Sequence, residues 1–450
     1  MSHGHIFWGD VMFTKVKGTM DLLPEDAKKT AVLENYLRSV AELYGFQEIR
    51  VPILSDSGLI HRSSGESSDI VTKETFDFKD RGERLLTLRP EGTAPVIRAV
   101  IENKMYTDNL PLKLFYMGDM FRYERPQKGR YREFSQFGVE VVGTNSPLMD
   151  SEVITLASTI FKTLDITNYR VRLNTLGDTE SRNNYRQALK EYFSDKLDSL
   201  CADCKKRYEI NPLRILDCKA DKDTDALKNA PKISDFLTEE SKKEFEEGKK
   251  YLDLLNIPYI VDESLVRGLD YYTNTIFEIE LADSNGVGQS STICAGGRYN
   301  NLTETLGGPA LGCVGFAFGL ERLKDIVNLQ GDFKKSVLCQ LVPLGDDARE
   351  NMIGLLQTLR LNGFVSELSY EAKNLKNHFR ASEKNNARFV LIQGEQELIN
   401  HMVQIKDQAN NTQDVISEDD LINYLYKKIR CNHHCHSTGD CECGGNCHEN

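Results

Sequence analysis

The sequence predicts an α+β body built on one mixed sheet, with a helical insertion partway through it and a small α/β domain behind it. Three observations carry that reading. Residues 114–117 and 134–142 read as two strands joined by a charged loop, with Pro126 and Gly129 marking the turn. The stretch 178–260 is charged and helical, with Lys and Glu concentrated in 241–250. It separates a strand at 169–173 from another at 275–281 and so interrupts one sheet. Beyond residue 337, strands alternate with helices, the pattern of a compact α/β unit with a mixed sheet.

Length and composition bound the rest. A chain of 450 residues has room for two to four domains, and 40% hydrophobic with 28% charged residues is ordinary for a globular protein. The net charge of −12 argues against non-specific nucleic-acid binding, but a local basic patch can still steer a polyanion. No run approaches the ~18 apolar residues that a membrane span needs, and residues 1–10 lack the basic and apolar regions of a secretory signal. A cytoplasmic location is therefore expected, with Cys201, Cys204, Cys218, Cys294, Cys313 and Cys339 as reduced thiols.

Residues 1–13 are expected to be an extension and 14–177 the first part of the main domain. Leu33, Tyr36, Leu37, Val40 and Tyr44 recur at helical spacing and Gly45 is a natural stop, before an extended segment at 46–52. A strand at 85–88 runs into Arg89-Pro90-Glu91-Gly92-Thr93. With Pro95 close behind, Thr93 is placed as the N-cap of a helix, which leaves Glu91 at a strand end where it can face a cleft. A helix covers 150–164. The inserted helical domain is placed at 178–260, where Cys201, Cys204 and Cys218 have half the spacing of a zinc site but no fourth Cys or His nearby. The main domain resumes over 261–327 with Arg267-Gly268-Leu269-Asp270-Tyr271-Tyr272, Ala295-Gly296-Gly297-Arg298-Tyr299 and a glycine-rich strand before the helix that carries Arg322. The chain has no P-loop, so a nucleotide would have to be held in another way. The α/β domain is placed at 334–429, its last helix starting at Ser417.

The centre of the chain is Phe121 to Phe134, where five cations and two carboxylates alternate with aromatic rings. Arginines on paired strands can hold a triphosphate against a sheet, and the loop between them can meet a nucleic acid. This stretch resembles the second signature motif of class II aminoacyl-tRNA synthetases. With Gln136 and Glu140 it is similar to the histidyl-tRNA synthetase family, as are residues 45–52, Arg89 to Thr93, Arg267 to Tyr272, Ala295 to Tyr299 and the strand before Arg322. The resemblance runs from about Lys15 to Ile429.

The resemblance implies a class II α+β catalytic domain with a mixed, mainly antiparallel sheet, and a C-terminal anticodon-binding domain. It implies a homodimer, built in part through the helix and strand around 33–52. The implied reaction joins L-histidine to ATP, with Mg2+, as histidyl-adenylate, and then transfers it to the 3′ end of histidine tRNA. Arg122 and Arg267 would act on the α-phosphate from two sides. Glu124 and Phe134 would take the adenine, and Arg130 and Arg322 the outer phosphates. Glu91, Gly92, Thr93 and Gln136 would surround the histidine ammonium, and Glu140, Tyr271 and Tyr272 its ring. The loop 125–132, the insertion and residues 334–428 would meet the acceptor end, acceptor stem and anticodon of the tRNA. A non-catalytic paralogue, regulating a phosphoribosyltransferase of histidine synthesis, is the alternative; it would lack the anticodon domain or part of the arginine set.

The last twenty-one residues, 430–450, are unlike the rest. Nine Cys and His fall within 431–448 with no apolar residue to build a core, a composition that favours Zn2+ or another soft metal. Cys431, Cys435, His436, Cys441, Cys443 and Cys447 are the candidate ligands.

Overall fold

A computed structural model describes residues 13–434 apart from 66, 67, 69, 108, 128, 219, 222, 282–291, 330, 332, 334, 335 and 370–374. The chain divides into two compact units, Met1–Gly331 and Asp332–Asn450.

The described strands of the first unit are, in chain order, β1 Gln47–Glu48, β2 Leu54–Asp56, β3 Phe76–Lys79, β4 Leu85–Leu88, β5 Leu112–Phe121, β6 Glu133–Val142, β7 Tyr169–Thr175, β8 Tyr259–Val261, β9 Thr273–Leu281, β10 Thr292–Arg298 and β11 Cys313–Gly319. Eight of them form one sheet in the order β1-β5-β6-β11-β10-β9-β7-β8, while β2, β4 and β3 form a small separate sheet. In the large sheet only β1 with β5 and β7 with β8 pair in parallel. The other pairings are antiparallel, so the sheet is mixed and mainly antiparallel.

The alternation of a strand sorts its side chains to two faces. Phe115, Phe137, Phe316 and Phe318 point to one face, where Phe137 and Phe318 lie with ring centroids 5.2 Å apart. The helices Pro24–Leu43 and Pro147–Thr163 cover that face with Leu33, Leu37, Val40, Val153, Leu156 and Phe161, all buried. Each such side chain contributes on the order of 1.5–3 kcal/mol by leaving water. On the opposite face Leu114, Tyr116 and Met120 pack with Val96, Ile97 and Val100 of the helix Thr93–Glu102, and with Tyr271, Tyr272 and Tyr299. The gap between that helix and the sheet is where the candidate site lies.

The segment 178–260 has a small core of its own, around Tyr185, Leu189, Phe193, Leu213 and Ile233. Its last helix, Glu239–Leu254, instead packs mainly against the helix Pro147–Thr163 that covers the main sheet: Leu252 joins the large core, and the Ser151 hydroxyl donates to the Gly248 carbonyl at 3.0 Å.

The second unit holds β12 Cys339–Pro343, β13 Ser366–Leu368, β14 Phe389–Gln393, β15 Met402–Asp407 and β16 Thr412–Ser417, in the order β13-β12-β14-β15-β16. The first three are mutually parallel neighbours and the last two run antiparallel, so this sheet is mixed. The last helix starts at Leu421, later than the expected Ser417, because 412–417 is taken up as a strand along β15. That helix continues to His434, past the expected start of the Cys/His-rich tail.

Candidate active site

Phe134, Gln136, Gly138 and Glu140 alternate along β6 and so share the face that looks toward the helix Thr93–Glu102. Across the ladder from them, β11 places Gly319 beside Gln136 and Gly315 beside Glu140. Gly315 leaves room that a larger residue would take, since a methyl group there would overlap both the Glu140 carboxylate and the Val139 carbonyl. The result is a cleft of about 240 Å³, lined by Glu91, Thr93, Arg122, Glu124, Arg130, Phe134, Gln136, Glu140, Arg267, Tyr271, Tyr272 and Arg322. Among the residues expected from sequence for this site, only Gly92 is absent from the lining. It lies beneath, where a side chain would collide with the ring of Tyr116.

One part of the cleft is acidic and deeply buried. Glu140 accepts hydrogen bonds from the Thr93 hydroxyl at 2.7 Å and from the Tyr299 hydroxyl. Burial pushes its pKa from 4.5 up to about 8, against the pull of those two bonds, with the charge of Glu91 adding to the rise. Glu91 corrects one expectation. The N-cap of the Thr93–Glu102 helix is Gly92, and Thr93 is the first helical residue. The Glu91 carboxylate takes over the capping, accepting from the Thr93 amide at 2.7 Å and the Ala94 amide at 2.9 Å. Burial nonetheless raises its pKa, more than those two amides lower it. Gln136 lines the cleft with its Oε1 buried and unpaired, a free acceptor in a place where unmade hydrogen bonds are expensive.

The other part is cationic. Arg122 donates to the Pro90 carbonyl at 2.8 Å and lies 5.3 Å from the centre of the Phe134 ring. Arg130 donates to Glu124 at 3.0 Å, and Arg322 donates to the carbonyls of Gly129 and Thr292 at 3.2 and 2.7 Å. Burial lowers the pKa of Arg322, and the neighbouring charges of Arg130 and Arg122 lower it further. The three cations thus crowd one another with Glu124 as their nearby counter-charge, an arrangement that favours a polyanion.

Arg267 reaches the cleft from the turn before β9. Its guanidinium donates to Glu278 and stacks over Tyr272, 5.2 Å from the ring centre. Burial works against its charge, but Tyr272 and Glu278 outweigh it and hold the pKa above the usual arginine value. Glu278 also accepts from the Thr292 hydroxyl at 2.9 Å. Sequence reading gave Glu278 no role, because a glutamate in a strand reads as a solvated alternate position. Tyr299 stands at the end of the Ala295–Tyr299 stretch, and its bond to Glu140 follows from the sheet order rather than from that stretch. Thr292 and Glu321 also went unassigned; Glu321 lines the cleft and accepts from the Ser135 amide at 2.8 Å. Of the tail candidates, Cys431 falls in the last helix, and Cys435, His436, Cys441, Cys443 and Cys447 lie outside the described residues. No helix among the described residues is long and apolar enough to cross a membrane.

Residues 18–323 match the family described as histidyl-tRNA synthetase, and residues 338–428 match the anticodon binding domain. A histidine–tRNA ligase of Staphylococcus haemolyticus is 43% identical over 416 residues, covering 92% of this chain and 98% of that protein. The crystal structure of the apo histidyl-tRNA synthetase of S. aureus is 38% identical and superimposes with a TM-score of 0.79, over 92% of this chain and all of that one. A structure described as an ATP phosphoribosyltransferase regulatory subunit/histidyl-tRNA synthetase from Bacillus halodurans is 23% identical, with a TM-score of 0.60 over 86% of this chain and 99% of that one. At that identity the likeness shows the fold alone.

Proposed function

The chain belongs to the histidyl-tRNA synthetase family, and from that premise we propose how its cleft works. Its activity is the ligation of histidine to tRNA for translation, carried by a class II catalytic domain with a separate anticodon-binding domain. Activation would consume ATP: the histidine carboxylate attacks the α-phosphorus in line, histidyl-adenylate forms and pyrophosphate leaves. The acyl group then passes to the terminal ribose hydroxyl of the tRNA. Little covalent work falls to side chains, so positioning and charge stabilisation carry the rate.

Arg122 and Arg267 are the catalytic pair in this reading. They come from β5's end and from the turn before β9, and between them would neutralise the two anions that must meet, the carboxylate and the α-phosphate. A planar guanidinium suits that shared, bidentate task better than an ammonium. Glu124 would accept from the adenine amino group and Phe134 would stack on its ring. Arg130 and Arg322 would hold the outer phosphates. The carboxylates beside those arginines, Glu124 and Glu321, are hard oxygen donors that fit Mg2+ shared with phosphates, which would supply further charge neutralisation.

Glu91, Thr93 and Gln136 would take the histidine ammonium. Glu91 still has acceptor capacity beyond its two amide bonds, and the Gln136 Oε1 is unpaired. Glu140 and Tyr272 would meet the imidazole with Tyr271 beside them. A side chain without two ring nitrogens leaves these buried groups unsatisfied, which rejects it by large factors without an editing site.

The single observation that carries the reading is the meeting of four arginines, two buried carboxylates and an unpaired amide oxygen in one cleft. The regulatory alternative would lack part of that set or the 338–428 match. For the remaining partners, we propose that the 125–132 loop, the 178–260 segment and the second unit contact the acceptor end, acceptor stem and anticodon. A cytoplasmic homodimer is also proposed, supported by the exposed apolar residues Leu54, Phe78 and Leu85 on the small sheet. A soft metal is proposed on Cys431, Cys435, His436, Cys441, Cys443 and Cys447, from composition alone. Deleting Cys431–Asn450 should remove that metal and change aminoacylation by less than about tenfold.

The test is amino-acid-dependent ATP–pyrophosphate exchange with all twenty amino acids. Exchange with histidine alone, lost in Arg267→Ala, is the expected result. Exchange that survives in Arg267→Ala would overturn the role given to that residue.

A further inference from the structure

Away from the cleft, the segment 178–260 brings Cys201, Cys204, Cys218 and Asp221 together, with one ligand atom of each within 4.8 Å of the others. We propose that these four residues hold a structural zinc ion. The sequence had shown three of the ligands and no fourth Cys or His. Asp221 fills the gap, and it stands to Cys218 as Cys204 stands to Cys201, three residues on in each case.

The distances suit the ion. With Zn–S bonds of ~2.3 Å, the edge between two sulfurs of a tetrahedron is roughly 3.8 Å, and a sulfur–oxygen edge is roughly 3.5 Å. The Cys201 and Cys218 sulfurs lie 3.7 Å apart, and the Cys218 sulfur lies 3.6 Å from Asp221 Oδ2. A disulfide needs ~2.05 Å and would leave the other two groups without a purpose.

The backbone is arranged for thiolates. Cys201 is the N-cap of the helix Ala202–Ile210, where the Cys204 amide donates to its sulfur at 3.5 Å and the helix dipole favours negative charge. The Asp221 amide donates to the Cys218 sulfur at 3.4 Å, and the Cys201 amide to Asp221 Oδ2 at 3.0 Å. Cys204, Cys218 and Asp221 are buried. Three thiolates select zinc over magnesium or calcium, and a carboxylate is an accepted fourth ligand. Binding releases the three thiol protons to solvent.

The ion would clamp the start of the Ala202–Ile210 helix to Cys218 and Asp221. A small core gains most from such a link. The clamped piece also supports the turn that carries Arg267, because Asn211 donates to the Asp270 carboxylate at 2.9 Å.

Metal content of the full-length protein decides the matter, read as a difference because residues 431–450 bring ligands of their own. Cys204→Ser and Cys218→Ser should each hold one zinc per chain fewer than the wild type, while Asp221→Cys keeps it. Cobalt substituted into the wild type should show a thiolate-to-metal absorption band that weakens in the Ser variants. Equal zinc in wild type and both variants would overturn the assignment. Should the variants fail to fold, alkylation of the wild type answers instead. Cys201, Cys204 and Cys218 should resist labelling until a chelator is added; labelling at the same rate without chelator, or a Cys201–Cys218 disulfide in the peptide map, would equally overturn it.

Discussion

Replacing Glu140 by Gln should make the unliganded protein more stable, and increasingly so as pH rises. Raising the carboxyl from 4.5 to about 8 costs its ionised form roughly 5 kcal/mol, at 1.36 kcal/mol per pH unit. The sign follows from linkage. A folded-state pKa above the unfolded one means that the native protein binds the extra proton, so this group's contribution to stability is complete below 4.5. It is lost as pH rises through the interval up to about 8, and is level beyond. Glutamine cannot ionise and keeps the shape, and the hydroxyls of Thr93 and Tyr299 can rotate to accept from its amide. The Tm of Glu140→Gln, followed by calorimetry without ligands, should therefore gain on the wild type across that interval by several degrees, at ~2 °C per kcal/mol for a unit this large. The same variant should raise the KM for histidine in the exchange assay and lose the pH dependence that ionisation of Glu140 confers. If the two Tm curves run parallel across the interval, Glu140 is not a buried acid and the argument for its pKa fails.

Three further outcomes follow from the packing. Glu278→Gln loosens Arg267 without touching the substrates, so exchange kcat should fall ten- to a hundredfold, ~1.4–2.8 kcal/mol, with the KM for histidine nearly unchanged; an unaltered kcat would refute the positioning role. Arg298→Ala strands Asp150, whose Oδ2 accepts from Arg298 Nε at 2.9 Å while Nη2 lies 2.7 Å from Oδ1 in a buried ion pair, and breaking such a pair costs about 3–5 kcal/mol. Thermal unfolding should show that loss while aminoacylation at low temperature persists. Gly315→Ala drives a methyl group into the Glu140 carboxylate and the Val139 carbonyl, so kcat/KM for histidine should drop more than tenfold, and an unperturbed value would show that the strand can shift to make room.

What could be read from sequence was local. The strand at 134–142 is legible in the sequence, while the roles of Phe134, Gln136 and Glu140 along it come from the family resemblance; Gly45 and Gly129 mark their turns through conformations that glycine tolerates, with φ of 79° and 70°. What failed depended on neighbours far along the chain. Glu278 meets Thr292 because β9 and β10 pair with Glu278 opposite Ala295, and meets Arg267 because the turn before β9 folds back over that strand. Tyr299 reaches Glu140 because β11 and β10 follow β6 in the sheet, an order that no local pattern encodes. Gly92 displaced Thr93 from the N-cap for a similar reason. Tyr116, from a strand some twenty residues on, fills the space that a side chain at 92 would need. Asp221 carries no sequence signal, because a lone aspartate is usually a surface residue, and only its burial beside three thiols distinguishes it.

The charge distribution of the cleft supports placing the reaction there. Histidine is a zwitterion, and in the proposed reading Glu91 and Gln136 would meet its ammonium and Arg122 its carboxylate. Arg122 is tied by a hydrogen bond to Pro90, the residue beside Glu91, so the two ends are fixed to each other by the chain. That order of charges would turn the carboxylate toward the arginines, where the proposed phosphate site also lies. Two anions brought together would repel by several kcal/mol in a partly desolvated site. In the proposed reading Arg122 and Arg267 would oppose that repulsion from separate segments, and each is braced independently, by the Pro90 carbonyl and by Glu278. Because these braces are in place before any substrate arrives, the reorganisation that water would have to undergo is already done. On the proposed roles, rate and amino-acid selectivity would come from one arrangement, since a ligand that fails to satisfy Gln136 and Glu140 would also fail to place its carboxylate between the two guanidinium groups.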